Sequence, residues 1–282
     1  MKYAALMFDI VESRQYQDRL DVQNILIENI RYLNYVYGYS IKKEVVPSAG
    51  DEFQGLFTDI QTAFLYARKL QLLIYPIKIR SGIGYGEIKY DIDEWSSSAF
   101  DGDAYYLARD AINAIPKRKG NIICFNTATP IDKYLNMYCL ANAEIKSKQS
   151  QIARWIELLA DIICPLNNIV EERSIYYFVL ESRNKIINQE RWNKVTGRFR
   201  ELELVDTNFE FLFENKGLSE SENTNFTKKL YLEDFWFYGM TTCIAQAMNT
   251  SRQNIDRYVS LGRIKESRTM DKSIFELLGE NI

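Results

Sequence analysis

The amino-acid sequence predicts an α+β fold, a ferredoxin-like palm, followed by a mainly helical domain. Three observations carry this. Up to about residue 130, short apolar runs alternate with amphipathic patterns in the order strand, helix, hairpin, helix, strand, helix, strand. Two of the strand-like runs are separated by only six residues, which reads as a hairpin. After Ala143 the strand signals give way to helical periodicity. An open sheet with its helices on one face fits this order better than a doubly wound dinucleotide fold. The expected domains are therefore 1–140 and 141–282.

Element by element, Lys2 to Phe8 is an apolar strand ending at Asp9. A helix follows from about Gln17 to Tyr37, with Leu20, Ile27, Ile30 and Leu33 on its inner face. Glu44 to Val46 and Phe53 to Phe57 form the hairpin around Ser48–Glu52. Ile60 to Leu73 is a second helix, and Ile77 to Arg80 opens a strand running into Gly82, Gly84 and Gly86. A loop is expected over 91–99, a helix over Gly102–Ile115 and a strand over Ile122–Phe125.

Composition narrows the chemistry. The 282 residues include no histidine and carry a net charge of −3. Histidine triads, imidazole bases and the commonest zinc ligands are thereby excluded. Any reaction here rests on carboxylates, hydroxyls, thiols or cations, and a hard ion such as magnesium is the natural metal. The four cysteines form no C-x-x-C pair, in keeping with a reducing cytoplasm. No apolar run reaches the length of a membrane helix, and no signal peptide is expected.

Asp9 ends the first strand and Asp51 stands at the hairpin tip, 42 residues later. Side by side, two carboxylates repel unless a cation intervenes, so a magnesium pair gripping a triphosphate is one reading. A helix cap at Asp9 and a turn residue at Asp51 explain the same positions. Arg14, Arg80 and Arg109 are the candidate phosphate cations, each equally readable as a surface ion pair.

Four stretches, Phe8–Arg14, Ser48–Gln54, Ile79–Gly86 and Phe100–Arg109, together resemble the SatD family in order and spacing. More distantly, the first three resemble the palms of class III nucleotide cyclases and GGDEF diguanylate cyclases. The cyclase resemblance implies metal ligation by Asp9 and Asp51, with Glu12 able to join them. It also implies phosphate contact along Ile10, Val11, Glu12 and Ser13, with Arg14 and Arg80 nearby, and a catalytic part for Asp9, Asp51 and Arg109. Magnesium, with manganese as an alternative, and a purine triphosphate are the implied ligands. Pairing of two palms into a homodimer is a feature of many such relatives. The sequence departs from the cyclase pattern where Glu12 replaces a small residue, Ala49 replaces a glycine, Tyr106 replaces an asparagine and Arg109 falls one residue early.

In the second half, Ser150–Ile163 and Asn167–Glu190 read as helices and 215–225 as a mobile loop. Residues 241–260 resemble a helix-turn-helix, with Ala245 at the close contact, Asn249 in the turn, Ser251 as N-cap and Ile255 packing back. Arg252, Gln253, Asn254 and Arg257 are then the candidate contacts to double-stranded DNA. Thr241 to Arg268 carries a local charge of +3. Three functions remain in competition: a nucleotidyltransferase or cyclase, a nonenzymatic nucleotide switch, and a structural module.

Overall fold

A computed structural model describes residues 1–16, 19–88, 102–166, 178–179, 181–182, 185, 207–208, 211–212 and 236–282. The expected loops over 91–99 and 215–225, most of the helix over 167–190, and Phe100 and Asp101 lie outside these. The described elements are β1 (Lys2–Ile10), α1 (Arg19–Val36), β2 (Ile41–Ala49), β3 (Glu52–Phe57), α2 (Ile60–Leu73), β4 (Ile79–Glu87), α3 (Asp103–Asn113) and β5 (Ile122–Asn126). There follow α4 (Asp132–Lys148), α5 (Gln151–Ile163), α6 (Met240–Ala247), α7 (Arg252–Leu261) and α8 (Ile264–Asn281).

The five strands lie in the order β2-β3-β1-β4-β5. β1 is antiparallel to both β3 and β4, whereas β4 and β5 are parallel. The first four strands with α1 and α2 make the expected ferredoxin-like palm, an α+β arrangement with a central first strand. Asp59 starts α2 by accepting from the Thr62 amide at 2.7 Å. The hairpin closes through Gly50 and Asp51, and the φ of 63° at Gly50 is one that glycine adopts without strain.

Successive residues of a strand face opposite sides, so the register sorts the core into two layers. On one face, Phe57 meets Tyr66 of α2 edge-on at 5.3 Å, and Phe125 meets Phe64 at 5.9 Å. Tyr66 also donates to the Ile30 carbonyl of α1. On the other face, Ala5, Met7 and Leu56 pack with Ala104, Tyr105 and Ala108 of α3. The sheet is therefore covered on both faces, not one. The reason is local: Gly82, Gly84 and Gly86 present a side-chain-free stripe, and the backbone of α3 settles against it.

One further expectation changes. The inner face of α1 is Val22, Ile25, Leu26, Asn29, Ile30 and Leu33, while Leu20 is exposed. Before α4, Asp132 accepts from Thr127 N and Oγ1 and fixes the turn that leads into the helix.

The chain divides into two compact units, Met1–Ala143 with Ile274–Ile282, and Glu144–Ser273. Within the second, buried ion pairs tie helices together: Lys146 to Asp271 at 2.9 Å and Arg268 to Asp161 at 3.2 Å. No helix among the described residues is long and apolar enough to cross a membrane.

Candidate functional site

Residue Asp9 is flanked in register by Glu52 on β3 and Arg80 on β4, so all three side chains leave the sheet on the α3 face. Arg80 donates from Nε to Asp9 Oδ1 at 2.7 Å and from Nη2 to Oδ2 at 2.5 Å. Its Nη1 donates to the Ile115 carbonyl at 2.8 Å and more weakly to that of Ile112 at 3.4 Å, just where α3 ends. The guanidinium fork thus joins β1, β4 and the end of α3, and a helix C-terminus is a favourable place for a cation. The Asp9 hydrogen bonds raise the Arg80 pKa further, against burial, with help from the charges of Asp9, Glu52 and Asp51. Only 9% and 14% of the two side chains is exposed, so loss of either partner strands a charge.

Glu52 is held in turn by Arg109, whose Nη1 reaches its Oε1 from α3. This pair is more open, and water screens it. Sequence reasoning singled out Arg109 for phosphate and passed over Glu52. The signal for Glu52 was its place beside Asp9, which needs the strand register rather than the sequence to see.

Asp51 differs from its neighbours. It is half-buried at the hairpin turn and makes no hydrogen bond or ion pair with the described residues. Its charge nevertheless reaches Arg80. The loop after β1 is tied down by the Val11 amide, which donates to the Lys78 carbonyl at 2.9 Å. Ile10 is paired with Ile79 in the sheet. Of the four residues read as a phosphate loop, Glu12 and Ser13 lie beyond the end of the strand, and their amides make no hydrogen bond with the described residues. Glu12 itself is exposed and left-handed, with φ 54° and ψ 35°, and Arg14 is exposed in the 3-10 turn that follows.

Among the described residues no three acidic or cysteine side chains gather into a metal-binding group. With both Asp9 oxygens on Arg80, the set Asp9, Asp51 and Glu12 does not fit a two-magnesium centre. Cys124 is no nucleophile either, since burial, and then the charge of Asp132, push its thiol up to about 11.

In the second unit, α6 and α7 are joined by a short turn with Asn249 at φ 47°. Ser251 caps α7 by accepting from the Asn254 amide at 3.2 Å, and Ile255 and Val259 are buried. Arg252, Gln253 and Arg257 are exposed. Asn254 instead turns back, its Nδ2 donating to Thr250 Oγ1 at 3.1 Å. The local charge is also weaker than composition implies: Arg268 is fully buried against Asp161, which leaves +2 for the surface.

Residues 3–174, more than half of the chain, match the SatD family. Among solved structures, the active GGEEF domain of a diguanylate cyclase from Vibrio cholerae is similar over 46% of this chain and 85% of that chain, with 15% identity and a TM-score of 0.32. No curated protein matches the chain.

Proposed function

The chain belongs to the SatD family, and from that premise we propose that its palm is a nucleoside-triphosphate sensor that binds without turnover. One observation carries the reading: Arg80 and Arg109 are already paired with Asp9 and Glu52, while Asp51 is left without a partner. A cyclase needs its cations on the developing phosphate charge and its acids on metal. Here the acids and the arginines neutralise each other. Asp51 would hold a magnesium ion arriving with the nucleotide, and the amides of Glu12 and Ser13 would meet a phosphate oxygen. Bound there, magnesium offsets the triphosphate charge.

Calorimetry of the full chain against the four triphosphates, with and without magnesium, tests this. Magnesium-dependent binding of a purine triphosphate is expected, with no new species in chromatograms after long incubation. Asp51→Asn should lower affinity by roughly tenfold or more, since the amide keeps the shape and removes the charge. Product that disappears in Asp51→Asn would make the palm an enzyme. Absence of binding to every triphosphate would leave the palm a scaffold.

We infer separately that α6 and α7 act as a helix-turn-helix that contacts double-stranded DNA. Arg252, Gln253 and Arg257 support this, because all three are exposed: Gln253 and Arg257 on the side of α7 opposite Ile255 and Val259, and Arg252 at the first position of the helix.

A further inference from the structure

The second unit contains a cavity of about 580 Å³ lined by residues between Trp236 and Thr269. That volume suits a mononucleotide or a small aromatic metabolite. Its wall combines two kinds of group. Trp236 and Tyr238 supply ring faces, and Lys265 Nζ stands 5.2 Å from the centroid of the Trp236 ring. Tyr238 is fully exposed, so its ring is accessible to a ligand.

The second kind of group is positive. Arg252 and Lys265 both line the cavity, against a single carboxylate, Asp256. Asp256 takes only the Nε side of Arg252, at 3.3 Å. Helix α6 also opens onto this space. It begins at Gly239, whose left-handed φ of 95° brings no side-chain cap, and the amides of Thr241 and Thr242 make no hydrogen bond with the described residues. Uncapped first-turn amides and two cations make one anion-favouring end, and the aromatic pair makes a stacking end.

We propose that this cavity is a binding site for a small organic anion bearing a planar ring. The ring stacks on Trp236 and Tyr238, and the anionic group lies between the first turn of α6, Arg252 and Lys265. A phosphate on a nucleoside and a carboxylate on an aromatic acid share this chemistry. All the residues that line it belong to the second unit.

The test is calorimetry on the full chain with two probes, adenosine monophosphate and indole-3-acetate, at millimolar concentration. At least one should bind, and the tighter of the two identifies the source of the anion. Lys265→Glu should weaken that binding roughly tenfold or more, and because Lys265 is exposed the variant keeps its fold. Trp236→Ala should weaken it as well, whereas Asp51→Asn should leave it unchanged. Binding lost in Asp51→Asn but kept in Lys265→Glu would place the probe in the palm and overturn the assignment. Failure of both probes to bind would overturn it equally.

Discussion

Glu12 adopts a left-handed backbone although it is neither glycine nor asparagine. Such a conformation costs a side-chain-bearing residue on the order of 1 kcal/mol. Glu12→Gly should therefore raise the unfolding free energy by about 1 kcal/mol, measured by denaturant titration. The same variant should also tighten magnesium–triphosphate binding, because it removes a negative charge next to the free amides. A loss of stability would mean that the Glu12 side chain makes a contact outweighing the strain. At this scale the sequence announced the acids but not their partners. Asp9 and Arg80 are 71 positions apart, and only the β1–β4 register shows that the arginine takes both oxygens of the aspartate. Asp51, one residue before Glu52, escapes a partner because it lies in the turn rather than on the strand.

Among the elements, the departure from expectation lies in α3. Strands β3, β4 and β5 run the same way and step the same way across the sheet, yet α2 and α3 cover opposite faces. The two crossovers therefore have opposite hands, and parallel crossovers are right-handed in all but a few cases. The glycine stripe of β4 offsets the unfavourable geometry by letting α3 sit down on bare backbone. A Cβ at Gly84 would run into Ala104 O, Ala108 N and the Leu107 carbonyl carbon, and one at Gly82 into Ala108 O and Ile112 N, all rigid backbone. At Gly86 the contacts are looser, at 2.9 Å to Ala104 N and 3.1 Å to Asp103 Cβ near the start of the helix. Gly84→Ala should thus cost about 3 kcal/mol and Gly86→Ala about 1 kcal/mol in urea unfolding. The reverse ranking would show that α3 is not the element resting on the stripe. Alternation and spacing revealed the strands and helices, because both periods are written in single residues. Which face a helix chooses is written in the absence of side chains on a neighbouring strand, and glycines at three alternate positions read equally well as ligand contact.

For the molecule as a whole, the question is whether the second unit adds a nucleic-acid function to the palm. Its basic character is less than the sequence implies, because burial removes Arg268 and ion pairs engage Arg252 with Asp256 and Arg263 with Glu266. Those two pairs are exposed and so weak that a phosphate can replace the carboxylate. DNA binding through α7 should therefore be modest and strongly salt-dependent. Each phosphate contact contributes close to one unit of slope in a plot of log affinity against log salt. Arg252→Ala with Arg257→Ala should lower the affinity for duplex DNA at low salt and reduce that slope by about 2, by fluorescence anisotropy across a salt series. Gln253→Ala should leave the slope unchanged and alter only preference among sequences, because an amide reads base edges rather than phosphates. Asn254 should be silent in both measurements, since its side chain is committed to Thr250 within the turn. A double-arginine variant with an unaltered slope would remove α7 from the interface. Arg252 would then serve the ring-anion cavity that it lines, and the unit would be a ligand-binding domain rather than a DNA-binding one.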